Sequence, residues 1–372
     1  MITEPIGLYI HIPFCISKCN YCDFCSYPSL YKERADEYID RLISEAESYR
    51  RGEKIDVNSI YFGGGTPSLL EPKQLGRILD AVRSVFNVSD DCEVTTEANP
   101  GTVTEEKLRA YRSLGVNRVS LGLQSVHENE MKILGRIHTY DDFLLAYSML
   151  RGLGFDNISV DLMYGIPEQT LVSFRETLTR VIDLAPEHIS AYGLIIEEGT
   201  PFFKMADRLA IPDEDEECDM YCMAASMLAD AGYEHYEISN YSRPNRRSRH
   251  NLKYWRAEEY IGLGAAAYSY FEGKRYGNPR SFDRYMNGSE YENIDELDRD
   301  GEMFEYAMMR LRLADGIPLR EYERRFGVSF LDGRREKLDR YTKAGLICQS
   351  NEAVSLTERG FYLSNTVMAD IL

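Results

Sequence analysis

The sequence predicts an α/β protein, a partial (β/α)6 TIM-like barrel followed by a C-terminal, mainly helical, winged-helix-like domain. Three observations lead to this prediction. Between residues 7 and 196, short runs typical of β-strands alternate with longer helical patterns, and such alternation requires a parallel sheet with right-handed crossovers. The runs end repeatedly in glycine or polar residues, as expected where a functional site lies at the carboxyl ends of barrel strands. From residue 299 onward the pattern changes to three helices and a short hairpin.

Hydrophobic periodicity gives the six strand–helix units of the barrel. The predicted strands are Gly7–Ile12, Ser59–Phe62, Glu93–Glu97, Arg118–Gly122, Ile158–Met163 and His188–Gly193. The clearest helices that follow them are Ala35–Tyr49, Pro72–Phe86, Glu105–Leu114, Phe143–Leu153 and Ser173–Leu184. Glycines such as Gly115, Gly152 and Gly154 stand where helices are expected to end.

Three regions are predicted along the chain. Residues 1–235 form the barrel, with a cysteine-rich loop after the first strand and, after the acidic run Asp213–Glu217, a helix near Met220–Ala231. Residues 236–298 form a connecting region rich in tyrosine, asparagine and arginine. Residues 299–372 form the winged-helix-like domain. Its expected elements are the helices Gly301–Leu313, Leu319–Phe326 and Gly333–Ala344 and a hairpin at Leu346–Leu356.

Composition and charge exclude several classes of protein. The 372 residues are 44% hydrophobic and 28% charged, which is typical of a globular chain. A net charge of −18, with one short basic cluster at Arg243–His250, disfavours binding to nucleic acid. No apolar run has the length of a membrane span, and the first residues do not resemble a signal peptide. We therefore expect a cytoplasmic protein.

The cysteine pattern indicates a metal centre. Four of the eight cysteines lie between residues 15 and 25, and Cys15, Cys19 and Cys22 have the spacing C-x3-C-x2-C in the loop after the first strand. Zinc usually takes four ligands in paired motifs, whereas three thiolates on a four-iron cluster leave one iron open for another molecule. Cys25 either completes a four-thiolate site or is a spare thiol.

This spacing, after the segment Tyr9–Phe14, resembles the radical S-adenosylmethionine superfamily. The resemblance implies that Cys15, Cys19 and Cys22 hold a [4Fe–4S] cluster, whose open iron binds S-adenosylmethionine. One-electron reduction then generates a 5′-deoxyadenosyl radical. The run Gly63-Gly64-Gly65-Thr66-Pro67 resembles the element that holds the methionine amino group in that superfamily.

More narrowly, the chain resembles the family of oxygen-independent coproporphyrinogen III oxidases and HemW-type haem chaperones. The segments that carry the likeness are Tyr9–Phe14, Tyr61–Ser68, Glu97–Pro100, Gly115–Arg118, Gly122–Ser125, Gly135–His138, Asp161–Pro167, His188–Tyr192 and His250–Trp255. The resemblance implies that Tyr9, Gly64 and Glu97 contact the cluster-bound S-adenosylmethionine. It also implies a second S-adenosylmethionine position at Tyr21, Gly65, Thr66, Gln124, Arg136 and Asp161.

Three features favour the chaperones over the oxidases. The residue two after Cys22 is Phe24, where the oxidases carry a fourth cysteine, and only eight residues precede Tyr9. The segment His250-Asn251-x-x-Tyr254-Trp255 resembles the chaperones' HNxxYW motif. His250 is the expected haem ligand, with aromatic rings after it to cover the haem and Arg246, Arg247 and Arg249 before it to pair with propionates.

The leading functional hypothesis is therefore a haem chaperone that delivers haem to acceptor proteins. The alternative is an oxidase that decarboxylates coproporphyrinogen III to protoporphyrinogen IX, so enzymatic activity stays open. The resemblance also implies a flavodoxin or ferredoxin as reductant.

Overall fold

A central twelve-stranded sheet dominates the fold of the chain, as seen in a computed structural model that describes residues 4–28 and 30–372. The strand–helix units run β1 (Ile6–Ile12), α1 (Tyr31–Ser48), β2 (Asp56–Gly64), α2 (Pro72–Val85), β3 (Asn87–Ala98), α3 (Glu105–Ser113), β4 (Arg118–Gln124), α4 (Glu128–Leu134), α5 (Tyr140–Gly152), β5 (Ile158–Tyr164), α6 (Leu171–Asp183) and β6 (His188–Gly193). Strands β1 to β6 are parallel and lie side by side in chain order. The predicted (β/α)6 arrangement is confirmed.

Local sequence explains where these helices begin and end. The side chains of Thr139 and Thr170 accept hydrogen bonds from the backbone three residues on, in capping boxes that start α5 and α6. The residue after the C-cap of α3 is Gly115, whose φ of 103° a residue with a side chain rarely adopts. Strand β3 begins six residues before the predicted start at Glu93, and α4 was not predicted.

The region between barrel and C-terminal domain extends the sheet at both edges. Its elements are α7 (Pro201–Met205), α8 (Glu214–Asp230), β7 (Glu234–Glu237), β8 (Asn240–Ser242), α9 (Arg249–Trp255), β9 (Tyr260–Leu263), β10 (Tyr268–Phe271), β11 (Lys274–Gly277), α10 (Phe282–Met286) and β12 (Glu292–Asp295). Strand β8 pairs antiparallel with β6, and β9 pairs parallel with β1. The sheet order is β12-β11-β10-β9-β1-β2-β3-β4-β5-β6-β8-β7. The acidic run predicted as a helix start is the first turn of α8, with Asp213 as its N-cap.

The C-terminal region contains α11 (Arg299–Arg310), β13 (Ile317–Pro318), α12 (Leu319–Phe326), α13 (Arg335–Lys343), β14 (Ile347–Gln349), β15 (Ala353–Leu356), α14 (Glu358–Tyr362) and α15 (Ser364–Ile371). The predicted order of three helices and a hairpin is confirmed, and α14 and α15 follow it. Buried residues such as Tyr306 and Val354 belong to the same hydrophobic cluster as the barrel residues Leu8 and Leu42. The C-terminal region therefore packs on the barrel through a continuous core.

No helix among residues 4–28 and 30–372 is long and apolar enough to cross a membrane.

A buried carboxylate joins α1 to the loop after β9. Glu45 is 4% exposed, and its two oxygens accept hydrogen bonds from the Gly264 backbone N–H at 2.9 Å, the Asn278 amide at 2.6 Å and the Tyr285 hydroxyl at 2.7 Å. These three donors come from chain segments more than 200 residues from α1 in sequence. The carboxylate therefore fixes how β9 closes against β1.

We expect Glu45→Ala to lower the free energy of unfolding by roughly 3 kcal/mol, because the change leaves buried donors without an acceptor. Glu37→Ala, on the same helix but at an exposed side chain, is the matched control and should leave stability nearly unchanged. Urea denaturation of both variants measures the difference. Equal stabilities would show that the carboxylate does not hold the two segments together.

Candidate functional site

A cavity of about 540 Å3 opens at the carboxyl ends of the parallel strands. Side chains from the cysteine loop and from the ends of β2 to β6 line it. Of the residues singled out from the sequence, the cavity is lined by Cys15, Cys19, Cys22, Tyr21, Gly64, Gly65, Thr66, Glu97, Gln124, Arg136 and Asp161. Tyr9 and His250 do not line it. The fold thus brings most of the predicted site residues to one place.

The cysteine loop is held against the start of the barrel by local hydrogen bonds. Asn20 donates from its backbone to Leu134 and from its side chain to Ile133, both at 2.9 Å, which ties the loop to the end of α4. The Thr66 hydroxyl donates to the Cys15 sulfur at 3.5 Å, and the Arg136 guanidinium donates to the Cys19 sulfur at 3.8 Å. The loop therefore presents sulfur atoms to the cavity.

The thiols of the loop are unbridged and are not gathered around one point in the described residues. All eight cysteines lie in the described residues and none is in a disulfide. In that part of the chain no three histidine, cysteine or acidic side chains converge on one ion position. Burial raises the pKa of Cys22 to about 11, and it also raises the pKa of Cys15. Three thiols that line one cavity fit a cluster whose separate metal atoms each take one thiolate.

Cys25 lies apart from the other three. It lines a different cavity, and its thiol donates a hydrogen bond to the backbone carbonyl of Arg280 at 3.1 Å. The segment Asp23-Phe24 separates it from the strand-end cavity and lines both.

The glycine run after β2 packs tightly against the segment after β1. Gly65 donates its backbone N–H to Ile12 at 2.9 Å, and a Cβ on Gly65 would lie 2.6 Å from the Phe14 carbonyl oxygen. Gly64 has a φ of 105°, and a Cβ there would lie 2.3 Å from the His11 ring. Chain packing alone therefore requires glycine at both positions, whatever the loop binds.

Glu97 stands at the end of β3 with both oxygens engaged. Oε1 accepts from the Tyr61 hydroxyl at 2.9 Å, and Oε2 accepts from the Gly64 backbone N–H at 3.1 Å. Burial raises the pKa of Glu97 to about 7, against an ordinary value of 4.5, although the Tyr61 hydrogen bond favours the ionised form. The carboxyl therefore changes its charge near neutral pH.

The other polar side chains of the cavity are engaged in separate hydrogen bonds. The Ser120 hydroxyl donates to Asp161 at 3.0 Å, and the Gln124 amide donates to the Tyr192 hydroxyl at 3.3 Å. Burial raises the pKa of Asp161. Arg136 donates to the side-chain oxygen of Asn99 and to the carbonyl of Gly122, both at 2.7 Å.

Sequence reasoning assigned no role to Arg118, which the structure places in this cavity. It is 2% exposed, and its Nε has no hydrogen-bond partner among the described residues. Burial raises the pKa of Asp161, and the positive charge of Arg118 lowers it by a smaller amount. An arginine at the start of a strand that is buried along its whole length was the available signal.

His250 lies inside the fold and not on its surface. The ring is 1% exposed, Nδ1 shares a hydrogen bond of 3.1 Å with the Ser59 hydroxyl, and Nε2 shares one of 2.8 Å with the Tyr254 hydroxyl. It stacks on Tyr61 with ring centroids 5.3 Å apart. Burial lowers the pKa of His250 to about 3, so the ring is neutral. Ligation of haem iron by His250 stays a prediction, and it would require one of these two hydrogen bonds to break.

The arginines that the sequence groups with His250 form ion pairs with acidic side chains, and their pairing with haem propionates stays a prediction. Arg246 pairs with Asp156 at 3.2 Å, Arg247 with Glu234 at 3.2 Å and Arg249 with Asp91 at 3.0 Å. Because α9 begins at Arg249 and turns inward, successive side chains leave it in different directions. Its last residue, Trp255, packs against the cluster of Tyr236, Leu252 and Leu313.

Known proteins similar to this chain cover its full length. Residues 9–181 match the radical SAM superfamily, and residues 297–363 match the HemN C-terminal domain. The proteins named heme chaperone HemW from Lactococcus lactis, Bacillus subtilis and Escherichia coli are 34%, 35% and 35% identical to it. These matches cover 100%, 98% and 98% of this chain, and 98%, 98% and 97% of those proteins.

Among solved structures, coproporphyrinogen III oxidase (HemN) of Escherichia coli is similar at 23% identity and a TM-score of 0.85. The match covers 98% of this chain and 89% of that one. At this identity the likeness supports the fold alone.

The raised pKa of Glu97 predicts a dependence of stability on pH. Because the folded-state pKa lies above the unfolded value, the native state holds the proton more tightly. The stabilisation is complete below about pH 4.5 and is lost as pH rises through about 7. We therefore expect the free energy of unfolding of the cofactor-free protein to decrease between these two pH values. The decrease should be roughly 1 to 3 kcal/mol larger in wild type than in Glu97→Gln.

Denaturant titrations at several pH values measure this difference. Glu237, whose pKa burial also raises to about 7, is present in both proteins and cancels. Parallel pH profiles for wild type and Glu97→Gln would show that Glu97 ionises normally.

Proposed function

Because this chain belongs to the HemW family within the radical SAM superfamily, we propose that it is a haem chaperone that carries a [4Fe–4S] cluster, binds S-adenosylmethionine and delivers haem to acceptor proteins. The observation that carries the proposal is the likeness to proteins named heme chaperone HemW, at 34–35% identity over at least 98% of the chain. The oxidase match, at 23% identity, gives the fold only.

The arrangement of sulfurs supports a cluster on Cys15, Cys19 and Cys22. These three residues line one cavity, whereas Cys25 lines another. Three thiolates would leave one iron of a four-iron cluster without a protein ligand and free to bind a molecule in this cavity.

The same cavity supports binding of S-adenosylmethionine at the cluster. The Gly64 segment and Glu97, which are hydrogen-bonded to each other, would hold the cluster-bound molecule. Tyr9 would support them through Tyr61, on which its ring stacks with centroids 6.2 Å apart. A cluster held there would supply the electron for reductive cleavage of S-adenosylmethionine. Tyr21, Gly65, Thr66, Gln124, Arg136 and Asp161 line the space next to the cysteines, where we propose that a second molecule binds.

The proposed partners are haem, haem-acceptor proteins and a flavodoxin or ferredoxin as electron donor. The net charge of −18 disfavours nucleic acid.

The deciding experiment compares haem transfer with decarboxylation. Anaerobically reconstituted protein is titrated with haem, then mixed with a haem-free globin, and transfer is followed by absorption. In parallel the protein receives coproporphyrinogen III, S-adenosylmethionine and a reductant. The proposal expects haem binding and transfer without protoporphyrinogen. Formation of protoporphyrinogen would establish the oxidase alternative, and a wild-type protein that binds no haem would overturn the chaperone proposal.

For the cluster we expect Cys15→Ala, Cys19→Ala and Cys22→Ala each to abolish the brown chromophore, because each change removes a thiolate ligand. Cys25→Ala is the matched control and should retain the chromophore, with about four irons per chain. Iron and sulfide content and absorbance after anaerobic reconstitution measure the result. Loss of the cluster in Cys25→Ala would instead indicate a four-thiolate site.

A further inference from the structure

A second cavity, of about 310 Å3, lies on the other side of the segment Asp23-Phe24 from the strand-end cavity. We refer to it as the tyrosine cavity. Its lining consists of Tyr9, His11, Asp23, Phe24, Cys25, Tyr254, Tyr260, Ala266, Tyr268 and Arg280. Four phenol rings, an exposed phenylalanine and a guanidinium suit a flat aromatic ligand that carries acidic groups.

The hydroxyl of one tyrosine in this cavity is hydrogen-bonded to a buried imidazole. Tyr254 is half-buried, lines the cavity, and shares a 2.8 Å hydrogen bond with Nε2 of His250, one turn earlier on α9. Nδ1 of His250 shares a hydrogen bond with the Ser59 hydroxyl, so Ser59, His250 and Tyr254 form a chain that ends at the cavity. His250 itself is fully buried and does not line the cavity.

We propose that haem binds in the tyrosine cavity with the phenolate oxygen of Tyr254 as its iron ligand, and that His250 is a positioning residue that holds this oxygen. The inference rests on the proposed haem-binding function and gives that function its binding site. Tyrosine phenolate is an established type of axial ligand for ferric haem.

The step balances without any change of oxidation state. The Tyr254 O–H bond breaks and an oxygen–iron bond forms, while the hydroxide that occupied the ferric iron leaves and takes the proton as water. The ligated phenolate then accepts a hydrogen bond from Nε2–H of His250, and the Ser59 hydroxyl donates to Nδ1. Burial raises the pKa of free Tyr254, and the positive charge of ferric iron acts in the opposite direction.

Hydrogen bonding favours Tyr254 over Tyr9, the other tyrosine of the cavity that lies beside an imidazole. The Tyr9 hydroxyl lies 3.1 Å from Nδ1 of His11, but Nε2 of His11 is fixed as a donor by the Cys25 carbonyl at 2.8 Å. Neutral His11 therefore has no hydrogen on Nδ1 and has none to donate to a phenolate. Because a hydroxyl either donates or accepts, Ser59 lets His250 adopt the tautomer that a phenolate needs.

The other two tyrosines have no imidazole on their oxygens. The Tyr260 hydroxyl accepts from Arg275 at 3.4 Å, and the Tyr268 hydroxyl accepts from Asn293 at 2.8 Å.

The rim of the cavity fits the rest of a haem molecule. Phe24 is 64% exposed, an unusual exposure for a phenylalanine, and it offers a ring to cover a macrocycle. The Arg280 side chain is 60% exposed, and its Nη2 donates to the Asp23 carbonyl at 3.2 Å and pairs with the Asp23 carboxylate at 3.5 Å. Its other guanidinium N–H groups remain for a propionate. A cavity with an exposed rim leaves a haem edge in solvent, from which an acceptor protein can take it.

The test uses the full-length, cluster-loaded protein with ferric haem as the probe. Resonance Raman and electron paramagnetic resonance spectra of wild type should show a high-spin ferric haem with tyrosinate modes. Tyr254→Phe should lose the tyrosinate modes and bind haem at least tenfold more weakly. Tyr268→Phe, the same change at the same cavity, and Cys25→Ala should both retain the modes. His250→Gln should retain the tyrosinate modes, because its amide can still donate to the phenolate, but should shift them. Its haem affinity should be about ten- to hundredfold lower, because the positioning imidazole is lost.

The outcomes separate the ligand from the function. Wild type that binds haem without tyrosinate modes, or Tyr254→Phe that keeps them, overturns this inference and leaves the chaperone proposal standing. An imidazole-type spectrum that survives Tyr254→Phe and disappears in His250→Gln would identify His250 as the ligand instead. A wild type that binds no haem ends both proposals.

Melting curves and cluster absorbance show whether the variants fold. If Tyr254→Phe does not fold, wild type made with ring-deuterated tyrosine gives the same answer. Deuteration identifies the bands as tyrosinate, and a further shift in His250→Gln supports Tyr254, because its hydroxyl is hydrogen-bonded to His250. The absence of either shift overturns the assignment.

Discussion

The polar inner face of the parallel sheet is the constraint on which the rest of the structure depends. Strands β2 to β6 place serine, threonine, acidic and basic side chains toward the barrel interior, where water is largely excluded. Each such group must find a partner inside the protein or lose the free energy of its hydration. Helix α9 supplies several of these partners. The backbone N–H groups of Arg249 and His250 donate to Glu93 at 3.0 and 3.3 Å, and the His250 ring bonds to Ser59. The helix thus completes a polar interior that the six strands alone leave unsatisfied.

The same constraint explains what could be predicted from the sequence and what could not. Periodicity and caps gave β1 to β6 and the cysteine loop, because these depend on neighbours along the chain. Strand β9 escaped prediction since it has four residues, and its place beside β1 depends on contacts with Glu45, more than 200 residues earlier. The inward position of His250 escaped for a related reason. A histidine between arginines and aromatic residues resembles an exposed ligand site, and only the tertiary structure shows that Ser59 and Tyr254 occupy both ring nitrogens.

At the candidate site, the sequence predicted which residues line the cavity better than it predicted the physical role of each one. The resemblance assigns Gly64 and Gly65 to S-adenosylmethionine binding, and the structure adds a reason that does not involve a ligand: a Cβ at either would collide with His11 or with the Phe14 carbonyl. Arg118 received no role from the sequence, although its buried charge faces the acidic groups Glu97 and Asp161 and counteracts the effect of burial on their pKa. Compensation between buried charges depends on distances across three strands, and no spacing along the chain encodes those distances.

The two cavities share the segment Asp23-Phe24 in their linings, and the other residues around each cavity give it a different chemistry. Toward the strand ends, Asp23-Phe24 borders the three spaced cysteines and the polar side chains of β3 to β6. On its other side it borders phenol rings, Cys25 and Arg280. The position of this segment depends on the cysteine loop, which Asn20 ties to α4 and in which the Lys18 ammonium donates to the Phe24 carbonyl at 3.2 Å. Phe24 follows Cys22 by two residues and lines both cavities, so the cysteine site and the tyrosine cavity share this structural element.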